Sequence, residues 1–147
     1  MRTRVETRAR SRALQALYAW DVRGGGSAGN VSPGVPLTRV AGQVWDDLAV
    51  PPEERRLATD LVRAVSSQAM DLDRALADVT TNWRLDRLGA IERSVLRLAA
   101  AELAKGETPP RVVIQEAIHL AERYGSARSA TFVNGVIDAL ARRMGRL

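Results

Sequence analysis

The chain has 147 residues, a length that suits one domain able to bury roughly 70% of its unfolded surface without covalent staples. Its 46% hydrophobic content comes mainly from Ala, Leu and Val, with only 4% aromatics, which favours helices over strands, and the absence of cysteine excludes disulfides, thiolate metal sites and cysteine nucleophiles. The formal charge is +5 and Lys105 is the only lysine, so the excess is carried by arginine, the better side chain for forked contacts to phosphate. A genomic base bias also enriches arginine, so where the arginines sit matters more than how many there are.

The first helix is predicted over Val5 to Val22. At 100° per residue Ala9, Ala13, Ala16, Leu17 and Trp20 share one face, while Arg4, Arg8, Arg12 and Gln15 share the opposite one. Arg10 projects toward the apolar side. An arginine-rich start also mimics an organellar transit peptide, but this one continues into Leu14, Leu17 and Trp20, which read as core.

Residues 23–36, RGGGSAGNVSPGVP, carry the glycine and proline signals of an irregular surface connection. They lack the preceding strand and the Gly-Lys-Ser/Thr ending of a nucleotide loop.

A second helix is expected from Leu37 to about Leu48, with Val40, Val44, Trp45 and Leu48 at helical spacing. Pro51 and Pro52 separate it from a helical stretch through Leu57, Leu61, Val65, then Met70 or Leu72, Leu76 and Val79, either one long helix or two in tandem, with Ser66 and Ser67 marking the place for a kink. Leu85 to about Lys105 forms the next helix, ending before Gly106. Arg111 to Tyr124 follows, closed by Gly125. Residues 126–129 open the last helix, in which Phe132, Val133, Val136, Ile137 and Leu140 share a side. The helical spacing runs through Asn134-Gly135, so Gly135 is expected to permit a close helix crossing. The fold class is all-α, a compact bundle of about six to seven helices forming a single domain over 1–147, with the helical body at 37–143.

No catalytic constellation stands out. His119 is the only histidine, set between Ile118 and Leu120 without a second His or Cys to complete a metal site, and no cofactor is implied. The pairs Asp46 with Asp47 and Asp71 with Asp73 read as solvated helix faces. No apolar run approaches the roughly 18 residues of a membrane span, and the basic start lacks a signal peptide's apolar stretch, so the reading is a cytoplasmic protein that is not an enzyme.

Binding is what remains. The first 12 residues hold Arg2, Arg4, Arg8, Arg10 and Arg12 against the single acid Glu6, a local net of +4. Arg4, Arg8 and Arg12 lie along one stripe suited to following a phosphate backbone. Tyr18, Tyr124 and Phe132 are the candidates for stacking on unpaired bases.

Three segments in order resemble the NusB family of bacterial transcription antitermination factors: RTRVETRARSRALQALYAW, WRLDRLGAIERSVLRLAAAEL and VVIQEAIHLAERYGSARSATFVNGVIDAL. Within them ALQALYAW, VLRLAAAEL, IQEAI and FVNGV stand at the family's spacings. The resemblance implies two packed helical subdomains and binding of boxA-type single-stranded leader RNA together with NusE, a small-subunit ribosomal protein. It also implies action with other Nus factors on RNA polymerase, especially in ribosomal RNA operons. RNA-contacting segments of the family match the start with Arg8, Arg10 and Tyr18, and the turn from Ser126 through Arg128 to Phe132. The partner-contacting helix matches the segment holding Glu92 and Arg97. Gln115 replaces the family's usual Asn, Ala101 replaces an aromatic, the Gly-rich loop is unlike the connections often found there, and Arg128 adds a positive charge at the turn. Two alternatives stay open. One is a helical protein that self-associates, as a homodimer for example. The other is a stand-alone relative of the NusB-like domain of ribosomal RNA methyltransferases, which continue into a long cofactor-binding domain where this chain stops at Leu147.

Overall fold

A computed structural model describes residues 4–26, 31–80 and 87–147. These residues form six α-helices: α1 (Arg4–Val22), α2 (Leu37–Asp47), α3 (Pro52–Val79), α4 (Ala90–Lys105), α5 (Pro110–Tyr124) and α6 (Ala127–Arg143). Their ends follow local chemistry. Pro52 and Pro110 occupy first helical positions, where a missing N–H costs nothing. Gly106 adopts the left-handed conformation (φ 76°) that closes α4. Ser126 caps α6 by accepting a hydrogen bond from the Ser129 N–H at 3.1 Å.

Helices α1–α3 form one half and α4–α6 the other, yet both share one continuous apolar core. α1 explains why: it buries two faces at once. Ala9, Ala13, Ala16 and Trp20 fill one, with small residues that let neighbouring helices approach closely; Arg10, Leu14, Leu17 and Asp21, at spacings of four, three and four, fill the other. α1 and α4 run antiparallel, since Arg10 meets Glu102 while Asp21 meets Arg93.

Several expectations need adjustment. α3 is interrupted at Gln68 (φ −131°, ψ 17°), immediately after the two serines, and the inner face continues through Leu72 because Met70 is exposed. α4 begins at Ala90; Arg87–Gly89 precede it as non-α-helical backbone, and the expected start at Leu85 lies outside the described residues. Gly135 sits within α6 but is exposed, and a Cβ there would meet nothing within 4 Å, so no helix crosses at it. Part of the Gly-rich connection is anchored. Gly25 and Gly26 are buried against Trp20, Ser32 N donates to Gly25 O, and Trp20 Nε1 donates to Val35 O at 2.7 Å. Residues 27–30 of that connection lie outside the described residues.

Candidate nucleic-acid interface

The stripe of α1 left uncovered by its two buried faces runs through Arg4, Arg8, Gln15, Tyr18 and Val22, with Arg12 at its edge. Arg4 is exposed and Gln15 half-buried. The Arg8 and Arg12 side chains are 48% and 27% exposed, and both are held by one carboxylate, Glu54 near the start of α3. Arg8 Nε donates to Glu54 Oε2 at 2.9 Å and Arg12 Nε to Oε1 at 3.1 Å. Arg12 Nη1 donates onward to Gln15 Oε1 at 3.3 Å, while its backbone carbonyl accepts from Trp45 Nε1 at 3.0 Å. Tyr18 is 38% exposed one turn before Val22, which is 57% exposed.

Arg10 does not join this stripe. It is buried, donating from Nε and Nη2 to both oxygens of Glu102, with Nη1 3.6 Å from Glu116 Oε1. Thr7 Oγ1 donates to the same Glu116 oxygen at 3.0 Å. Burial alone lowers the Arg10 pKa. The hydrogen bond and charge of Glu102, with the charges of Glu116 and Glu6, outweigh burial and raise it above the ordinary arginine value. The stability this raised pKa contributes is present throughout the range below the ordinary value and is lost only in strong alkali, so Arg10 provides no switch near neutrality. Nε and Nη2 of Arg10 are thus engaged by Glu102 on α4, with the side chain buried, where the reading of Arg10 as an RNA contact expects it on the outward stripe.

The same holds for Arg97, which the family resemblance assigned to a partner contact. Its side chain is 0% exposed. Nε and Nη2 donate to the two oxygens of Asp73 at 2.9 Å, Nη1 to Asp21 Oδ2 at 3.1 Å, and Nη2 also to Gly26 O at 2.9 Å. The guanidinium lies 5.2 Å from the Trp20 ring centroid. Asp21 also takes a two-pronged bond from Arg93, both at 2.7 Å. An arginine placed this way presents no atom to another protein. Since α4 is buried from Arg93 through Leu103, Glu92 and the residues just before it are what this end of the helix offers outward. The expectation that Asp73 lies on a solvated face is corrected by the same cluster, whereas Asp46, Asp47 and Asp71 are exposed as expected.

The second candidate segment opens α6. Ser126 and Arg128 are exposed, and Phe132, one turn beyond Arg128, is half-buried against the core. Tyr124 is also half-buried, with the Arg123 guanidinium 5.3 Å from its ring centroid. α5 ties this segment to α1, because Glu116 holds Thr7 and Arg10 and lies eight residues, about 12 Å of helix, before the end of α5 at Tyr124. Sequence reasoning missed Glu54, Glu102 and Glu116 as the acids that hold Arg8, Arg10 and Arg12. Among the described residues no group of three or more His, Cys, Asp and Glu could hold a metal ion, and no helix is long and apolar enough to cross a membrane. His119 is exposed.

Comparison with known proteins agrees with this architecture. The sequence profile of the NusB family matches residues 7–142. The transcription antitermination protein NusB of Anaeromyxobacter dehalogenans is 44% identical over 138 residues, covering 92% of this chain and 89% of that protein. The solved structure of T. maritima NusB superposes with a TM-score of 0.78 at 29% identity, covering 97% of this chain and 93% of that one. A crystal structure of the antitermination factors NusB and NusE in complex with double-stranded RNA matches with a TM-score of 0.77 at 28% identity, covering 97% and 99% of the respective chains. The chain, with its six-helix all-α fold, belongs to the NusB family of transcription antitermination proteins, which are not enzymes.

Proposed function

We propose that this protein binds boxA-type single-stranded leader RNA jointly with NusE in the cytoplasm. In doing so it helps RNA polymerase, with other Nus factors, to pass terminators in ribosomal RNA operons. The observation that carries the reading is the outward ridge of α1, where Arg8 and Arg12 are ordered beside Gln15 and Tyr18 rather than left as loose surface charges. Arg4 extends the ridge, and Ser126, Arg128 and Phe132 supply a second wall. Glu92 and the start of α4 supply the protein-partner contact. Support for the pairing with RNA and NusE comes from the structural neighbour solved with both.

The test is fluorescence binding of boxA RNA, scrambled RNA and a duplex competitor, with and without NusE, to the wild type and to an Arg8→Ala, Arg12→Ala variant. With about four phosphates engaged, log affinity falls with log salt at a slope near −3, at roughly 0.7 per contact for a single strand. The variant shows a shallower slope by about 1.4. Equal affinity for boxA and scrambled RNA in every mixture overturns the sequence-specific reading, and preference for the duplex moves the site to double-stranded RNA. Exposure of Tyr18 and Val22 in line with the arginines favours a second reading, a homodimer that covers α1. Sedimentation over a range of concentrations, with Val22→Glu as the disrupting variant, distinguishes it.

A further inference from the structure

We propose that Glu54 is a positioning residue that holds Arg8 and Arg12 ready for RNA phosphates, an inference that rests on the RNA-binding function proposed above. Glu54 is the third residue of α3, where a glutamate ordinarily turns back to accept from the N–H of the capping residue. Here that residue is Pro51, which has no N–H. The carboxylate is released to cross to α1, and the positive end of the α3 dipole favours its charge.

The Glu54 side chain is 7% exposed, and each of its oxygens takes one arginine by Nε. Bonding through Nε keeps Nη1 and Nη2 of Arg8 out of the bond to the carboxylate, and of Arg12 Nη1 turns to Gln15 Oε1 while Nη2 makes no bond to Glu54; these are the groups that match phosphate oxygens. Without the acid, two arginines one turn apart repel each other and spread over many rotamers, which binding must then restrict.

Counting charge and considering position give opposite signs. By charge alone Glu54 subtracts from a basic surface, so its removal tightens RNA binding. By positioning, its removal weakens binding even though the surface becomes more positive. The experiment is Glu54→Gln, isosteric and neutral, measured with boxA RNA and NusE and combined with Arg8→Ala, Arg12→Ala in a double-mutant cycle. The expected result is about a tenfold loss of affinity in the wild-type background, the ordering cost of roughly one to two long side chains. In the arginine-less background no further loss is expected. A role confined to stability gives the same effect in both backgrounds and overturns the proposal, as does unchanged or tighter binding of Glu54→Gln.

Hydrogen exchange of the Arg8 and Arg12 Nε–H groups supplies a readout without RNA: protected in the wild type and fast in Glu54→Gln. Fast exchange in the wild type overturns the clamp itself, whereas protected groups in a protein that binds no RNA overturn the RNA reading. If Glu54→Gln does not fold, Pro51→Ala serves instead, because a restored N–H competes for the carboxylate. It weakens RNA binding in the same direction if Glu54 positions the arginines, and leaves binding unchanged if it does not.

Discussion

Arg97 separates a core role from an interface role most sharply, and replacing it with alanine tests which is correct. The substitution removes both bonds to Asp73, one to Asp21 and one to the Gly26 carbonyl, together with the contact to the Trp20 ring. Asp21 keeps its two 2.7 Å bonds from Arg93, so the uncompensated charge is Asp73, whose side chain is only 10% exposed. Breaking a buried ion pair from one side costs about 3–5 kcal/mol. At roughly 2–4 °C per kcal/mol for a chain of this size, the melting temperature falls by about 6–20 °C. Neutralising both partners with apolar side chains, Arg97→Met with Asp73→Leu, avoids the orphaned charge and recovers most of the loss. Urea denaturation followed by circular dichroism measures both variants, and titration with NusE is run on each at a temperature where it is folded. An Arg97→Ala protein within about 0.5 kcal/mol of wild-type stability that has lost NusE affinity refutes the core assignment and restores Arg97 to the partner surface.

Two further outcomes follow from the same geometry. Arg10→Ala is expected to cost about 3–5 kcal/mol by stranding Glu102, since Glu116 keeps its bond from Thr7, while the salt slope of RNA binding, measured cold, stays at the wild-type value. A slope shallower by about 0.7 shows instead that Arg10 contacts phosphate. Glycines at two positions respond in opposite directions. A Cβ on Gly25 would lie 1.9 Å from Trp20 Nε1, so Gly25→Ala displaces the indole and destabilises by about 2–3 kcal/mol. Gly135→Ala meets open space in an exposed helix and stabilises by about 0.5–1 kcal/mol in the same denaturation assay.

How much of this was legible in the sequence depends on whether a feature is set by local phase or by a distant partner. Phase alone puts Arg4, Arg8 and Gln15 outward and Arg10 inward, and the structure agrees. Phase also held an answer that the expectation for Gly135 overlooked: with Val133, Ile137 and Leu140 buried, position 135 falls on the opposite side of α6. What phase cannot supply is the partner. Glu102 and Glu116 stand 92 and 106 residues from Arg10, and Asp73, on α3, stands 24 from Arg97 on α4.

A usable signal did exist. Asp21 shares the side of α1 that carries Leu14 and Leu17, and Arg93, Arg97 and Glu102 are embedded in α4, a helix buried along most of its length. A charge on an inward face requires an opposite charge on another inward face. Pairing them by that requirement sets Arg93 and Arg97 against acids and favours a core place for Arg97 over a partner contact. The same requirement separates the arginines of α1. Arg10 balances fully buried acids and serves the fold, whereas Arg8 and Arg12 share one acid between them and retain a net positive charge at the surface. Helical phase thus sets the basic stripe and the acids set its net charge, with Glu54, contributed by a different helix, holding Arg8 and Arg12 by Nε in the arrangement proposed above to favour phosphate.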